Sequence, residues 1–249
     1  MVRPSSSESP DALVGRLAEL NQIGVALSQE KNLDRLLETI LLAAKKITNA
    51  DGGTLYRHPP GQDTLTFEII RTDSLGIAMG GTTGVKIPYP PIRLRDPQGR
   101  ENTTMVVANT VLKGRTVAIT DAYQEQGYDF AGTKAFDRHT GYRSQSFLTV
   151  PMKNHQDEII GVLQLINAQD RLTGDIVPFS DTDQRLAESL ASQAAVALTN
   201  RLLAAGDPIG EGRDERVVRR AAVLTEEPGE AHLDDPRADP VAPLAQDRA

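Results

Sequence analysis

The stretch that most restricts the fold is 146–168. Two apolar runs, SFLTVPMKN and EIIGVLQLINA, are joined by the short polar turn HQD, and this reads as an antiparallel hairpin. Helical patterns stand on both sides of it. Asn32 can cap a helix whose buried face is Leu33, Leu36, Leu37, Ile40, Leu41, Ala44 and Ile47. Ser180 can cap a long closing helix lined by Leu186, Leu190, Ala194, Ala197 and Leu198, with Asp183 in the capping-box position. Small residues in ASQAAVA (191–197) let that helix approach a neighbour closely. Helices before and after, with strands between, give an α+β fold around an antiparallel sheet.

The rest of the chain fits this frame. Ser9–Pro10 starts a first helix, with Leu13, Leu17, Leu20, Gly24 and Leu27 at heptad-type spacing. That stripe suits either packing on its own domain or a two-helix dimer seam. NADGG (49–53) ends the second helix, and TLYR (54–57) and TLTFEII (64–70) are strands joined through HPPGQD. Residues 71–104 form a long loop or edge excursion, because Pro88, Pro90 and Pro91 forbid a central strand. Its GGTTG (80–84) lacks the Gly-Lys-Ser/Thr ending of a phosphate loop. MVVANTVLKG is a short helix, RTVAIT a strand, and 122–141 a loop with one or two helical turns.

Composition removes whole classes of chemistry. The 249 residues contain no Cys, which excludes disulfides, thiolate catalysis, cysteine-held metal and a thioether-linked chromophore. Four His without a helical H-x-x-x-H pair make a metal centre an unexpected feature. From Ala204 onward 11 acidic residues face 6 Arg, so −5 of the formal −7 lies there and the remainder is near −2. No basic face for nucleic acid is expected. No apolar run reaches membrane-spanning length and no signal segment opens the chain, so a cytoplasmic location is expected. Residues 1–9 and the acidic Pro/Ala-rich stretch 204–249 are expected to be disordered, flanking a domain at 10–203.

The element order and two stretches, AITDAYQEQGYDFAGTKAFDRHTGYRSQSFLTVPMKN (118–154) and IIGVLQLINAQD (159–170), resemble the GAF domain, a small-molecule sensor module. Within that family the chain is most similar to the cyclic-nucleotide type found in phosphodiesterases and adenylate cyclases, and to the version preceding bacterial HD-GYP phosphohydrolase domains. The resemblance implies a sheet of about six strands, with terminal helices on one face and a lid of short helices and loops on the other. It places Asp137, Thr140 and Ser144 on the lid as ligand contacts, with Thr54 on the first strand and Gln164 on the fifth pointing inward. Hydroxyls and backbone N–H groups there would hold a cyclic phosphate, and Gln164 could read a purine edge or a ribose hydroxyl. Asn167, Phe179 and Asp183 match a structural signature whose Lys and Glu are here Ala168 and Gln184, so the usual Lys–Asp tie from sheet to closing helix is missing.

Plainer readings compete at each position. Thr140 can cap a helical turn, Gln164 can be satisfied by its surroundings, Phe136 and Tyr142 can be packing, Arg143 can form an ion pair, and His139 can be an exposed loop residue. No HD dyad, GGDEF run or nucleophile elbow occurs. The expectation is a non-catalytic sensory module without the catalytic domain its relatives regulate. It would bind cyclic AMP or cyclic GMP, form a homodimer through its terminal helices, and have a signalling enzyme in trans as candidate partner. The alternatives are a dimerisation or docking module with no small ligand, and an inactive remnant of a GAF-containing phosphodiesterase.

Overall fold

The expected hairpin forms the centre of the sheet. In the computed structural model, which describes residues 10–204, β6 (Phe147–Lys153) and β7 (Ile159–Gln169) pair antiparallel, with Gln164 opposite Thr149. Strand β7 pairs on its other side with β1 (Ala50–Arg57), which pairs with β2 (Thr64–Thr72). The main path runs β3-β2-β1-β7-β6-β5, with β3 at Ile77–Gly80 and β5 at Val117–Ile119 as its edges. Two-residue strands β4 (Ile92–Arg93) and β8 (Ile176–Val177) attach to β2 and β7. The sheet thus has the six expected strands in line and two short additions. Gln164 lies on the seventh strand rather than the fifth, because the excursion at 71–104 contributes β3 and β4 on either side of its prolines.

Helices α2 (Leu33–Thr48) and α5 (Asp181–Ala204) cover one face, and α1 (Pro10–Gln29) packs on both helices. Leu36, Leu37, Ile40 and Leu41 of α2 pack with Leu55, Leu148, Leu163 and Leu165 of the sheet into the main core. Each such side chain contributes about 1.5–3 kcal/mol of transfer free energy. Four alanines of α5, at 187, 191, 194 and 195, are wholly buried and bring its backbone close to that core. The ends are satisfied as the sequence suggests. Asn32 Oδ1 accepts from Arg35 N–H at 2.9 Å, and Ser180 and Asp183 exchange N–H···O bonds of 2.9 and 3.1 Å in a closed capping box.

Two boundaries differ from expectation. Asn49, at φ 53°, ends α2 alone, so Asp51, Gly52 and Gly53 already belong to β1. Glycine serves at 53 because α2 crosses there: a Cβ would lie 2.8 Å from Leu41 Cδ1 and 3.1 Å from the Gln164 carbonyl. The lid loop carries a ten-residue helix, α4 (Ala131–Thr140), in place of one or two turns, and Gly141 at φ 73° stops it. On the sheet face opposite the main core lies α3 (Val106–Lys113), packed on β6 and β7.

The heptad-type stripe of α1 divides between two environments. Leu20 and Leu27 are core residues, whereas Leu13, Val14, Leu17 and Val25 are exposed. Arg16 pairs with Asp183, and a Cβ on Gly24 would meet Gln193, so α1 and α5 run side by side in the same direction. Among the described residues no helix is long and apolar enough to cross a membrane. The expectations for 1–9 and for the segment after Ala204 lie outside the described residues.

Candidate functional site

The side chains of Thr54, Tyr56, Thr149 and Gln164 share the sheet face opposite the main core, and all four are buried. Strand register sets Thr54 and Thr149 on either side of Gln164. The Gln164 amide is fixed in this row: its Oε1 accepts from Tyr56 Oη and its Nε2 donates to Thr149 Oγ1, both at 3.2 Å. Burial pushes the Tyr56 phenol up, so it stays a neutral donor, and the Thr54 side chain bonds to it. One N–H and one lone pair of the Gln164 amide are left over for another group.

The lid residues form a second cluster. Asp137 is 3% exposed, and its carboxylate accepts from Ser144 N–H and Ser144 Oγ at 2.8 Å each and from Tyr123 Oη at 2.7 Å. Asp137 and Ser144 therefore brace each other, and the carboxylate pushes the Tyr123 phenol up. Arg143 lies over the Tyr123 ring at 4.2 Å. Thr140 does not join them. Its hydroxyl donates to Phe136 O at 2.9 Å and accepts from Tyr142 N–H at 3.3 Å, closing the end of α4. His139 is exposed on α4, and Phe136 is half-buried.

Strands β1 and β7 also carry the residues that fasten the lid loop. Asn167, three residues beyond Gln164, is fully buried at φ 58° and fastens the loop after α4. Its Oδ1 accepts from Gln145 N–H at 2.7 Å and Ser146 N–H at 3.3 Å, and its Nδ2 donates to the Arg143 carbonyl at 2.8 Å. Asp51, three residues before Thr54, accepts from Tyr142 Oη at 2.6 Å. Sequence reasoning missed Asp51, Tyr56, Tyr123, Tyr142 and Thr149 as parts of this assembly. Two surface clefts, one at His58, Val111 and Glu158 and one at Arg115, Lys153 and Glu188, include none of the candidate ligand residues.

A sequence profile of the GAF domain matches residues 32–198. The chain belongs to the GAF domain family. It is 34% identical over 90 residues to the dual 3',5'-cyclic-AMP and -GMP phosphodiesterase 11A of Takifugu rubripes, which is 36% of this chain and 9% of that protein. It is 27% identical over 124 residues to the Drosophila melanogaster dual 3',5'-cyclic-AMP and -GMP phosphodiesterase 11, half of this chain and 8% of that one. The fold matches the GAF domain of a phosphoenolpyruvate-protein phosphotransferase from Coxiella burnetii at TM-score 0.57 and 14% identity, covering 79% of this chain and 99% of the other. A free methionine-R-sulfoxide reductase from Neisseria meningitidis, solved with its substrate, matches at 0.53 and 17%, covering 82% and 99%. The fold therefore serves regulators and enzymes alike, and this GAF domain has no cysteine for thiol chemistry.

The missing signature Lys has a substitute. Arg16 of α1 donates to Asp183 and, at 2.6 Å, to the Ile47 carbonyl at the end of α2. Phe179 packs against the main core. The tie expected between sheet and closing helix runs instead between the first and last helices, so α1 is part of the domain's polar framework.

Proposed function

We propose that this GAF domain is a non-catalytic sensor that binds a cyclic nucleotide, cyclic AMP or cyclic GMP, between the Thr54–Gln164–Thr149 row and the lid. The carrying observation is that buried row, whose amide is oriented by Tyr56 and Thr149 yet keeps hydrogen-bonding capacity. A polar group kept half-satisfied under a lid favours a polar ligand that completes it. The phosphodiesterase relatives act on cyclic AMP and cyclic GMP by name, which supports this ligand class. Asp137 already accepts from three donors of the lid, which suits a brace.

Cyclic AMP or cyclic GMP is expected to raise the thermal midpoint in proportion to RT ln(1+[L]/Kd), about 2.7 kcal/mol at a hundredfold excess. A flat midpoint up to millimolar cyclic AMP, cyclic GMP and cyclic dinucleotides would sink the reading. Gln164→Ala is expected to weaken the ligand by roughly 1–3 kcal/mol, since the group it met becomes unpaired. Thr140→Ala is expected to cost mainly helix-end stability and little affinity. Equal loss of affinity in both variants contradicts this placement of the contacts.

Signalling through the terminal helices is the second part of the proposal. Leu13, Val14, Leu17 and Val25 are exposed on α1, which runs beside α5, where Val196 and Leu203 are also exposed. A second copy packed in parallel along this strip would cover them. A docking module without a small ligand would use the same strip, with a signalling enzyme on another chain as the partner.

A further inference from the structure

Helix α4 is held in an unusual way. Only Asp137 of its ten residues is buried. Apolar burial fixes the lid at its start, where Phe130 packs on Phe147, and beyond that point polar contacts hold it. Two carboxylates supply them, and they are built alike. Asp137 accepts from the N–H and Oγ of Ser144 and from Tyr123 Oη. Asp51 accepts from the N–H of Ser74 at 3.1 Å, its Oγ at 2.7 Å, and Tyr142 Oη at 2.6 Å. The first set joins parts of the lid to one another. The second joins the lid to β1 and to the turn after β2. Tyr142 follows Gly141, whose positive φ marks the bend between α4 and the fastened loop. Register places Ala50 opposite Ala168 and Gly52 opposite Ile166, so Asp51 lies beside Asn167, which also bonds to Tyr142. Burial, then Asp51, push the Tyr142 phenol far up, so its hydroxyl remains a donor.

We propose that Asp51, Ser74 and Tyr142 form a latch that seats the lid over Thr54 and Gln164, with Gly141 as its pivot. These are positioning residues that act on a ligand only through the lid. The purpose of the latch rests on the sensor reading. Its existence does not, because the test uses the ligand-free chain and a failure to bind cyclic nucleotide is a separate result.

Hydrogen exchange of the full chain reads the latch directly. Tyr142→Phe keeps the ring and removes one charge-assisted bond, so amides of 131–146 should exchange roughly 10- to 100-fold faster. Amides of α2, β7 and α5 should keep their rates. Ser74→Ala should accelerate the same lid amides to a smaller degree. Tyr123→Phe, which loosens only the Asp137–Ser144 brace, should accelerate α4 and the Ser144 amide and leave the Ser74 amide, bonded to Asp51, as it was. Wild-type lid exchange in both Tyr142→Phe and Ser74→Ala overturns the latch. So does equal acceleration across lid and sheet in Tyr142→Phe, which would make Tyr142 a residue of the fold as a whole.

Discussion

Asn167→Ala is expected to lower unfolding free energy by about 3 kcal/mol, with the denaturant midpoint falling accordingly and the slope unchanged. Asn167 is fully buried and its amide serves three backbone groups of the lid loop. Alanine leaves the N–H groups of Gln145 and Ser146 without their acceptor, and each buried loss costs roughly 1–3 kcal/mol. Water can reach the Arg143 carbonyl more readily, because Arg143 is exposed, so its share is smaller. A second cost is conformational. At φ 58° an alanine is strained by about 1 kcal/mol, whereas asparagine tolerates the left-handed region. Asn167→Gly separates the two costs. It loses the same hydrogen bonds but removes the strain, so it should be the more stable variant by about 1 kcal/mol. An alanine variant as stable as the glycine one contradicts the strained geometry, and one as stable as wild type contradicts the hydrogen bonds.

The importance of Asn167 was legible in the sequence, but its partners were not. A signature match marks a position without saying which loop it holds, and Gln145 lies 22 positions away. The same limit governs Arg16. Nothing local announces that a guanidinium on the first helix would serve an aspartate 167 positions later, and the absent Lys showed only that the usual tie is missing. Local signals fared better. Asn32, Asn49, Gly114 and the Ser180–Asp183 box end their helices as their chemistry requires. Where two local rules competed, tertiary packing decided. NADGG reads as a turn, yet Asp51 to Gly53 extend into β1, because glycine lets α2 cross the strand and Asp51 gains the Tyr142 hydroxyl. Tyr142 reads as packing, and its ring is partly buried, but its hydroxyl reaches a carboxylate 91 positions away. Of the five residues inferred for the ligand, the fold brings Thr54 and Gln164 into one row and Asp137 and Ser144 into one brace. Thr140 takes the helix-capping place that its neighbours in sequence already allowed.

The second large effect separates core from surface along a single helix. Leu27→Glu is expected to unfold the domain, and Val25→Glu is not, although the two positions are two residues apart on α1. Leu27 is 1% exposed within the main core, and Val25 is 57% exposed. Placing a carboxylate at 27 removes a side chain worth roughly 2–5 kcal/mol and buries a charge with no cation in the apolar cluster, which together approach the whole stability of a typical domain. At 25 the new carboxylate stays in water, and the ligand-free chain should melt within a few degrees of wild type. Leu17→Glu should behave likewise, since Leu17 is 45% exposed. Leu20 and Leu27 belong to the heptad-type stripe that would suit a dimer seam. Their burial within one chain makes them unsuitable, because such variants lose the fold and the partner together. The strip that a second copy would cover is Leu13, Leu17 and Val25 with Val196 and Leu203 of α5. The expected result is a folded monomer in sedimentation for Leu17→Glu combined with Val25→Glu, beside a wild type that sediments as a dimer at tens of micromolar. A monomeric wild type at that concentration would leave the strip to another partner, and a folded Leu27→Glu would contradict the packing of α1 against α2 and α5.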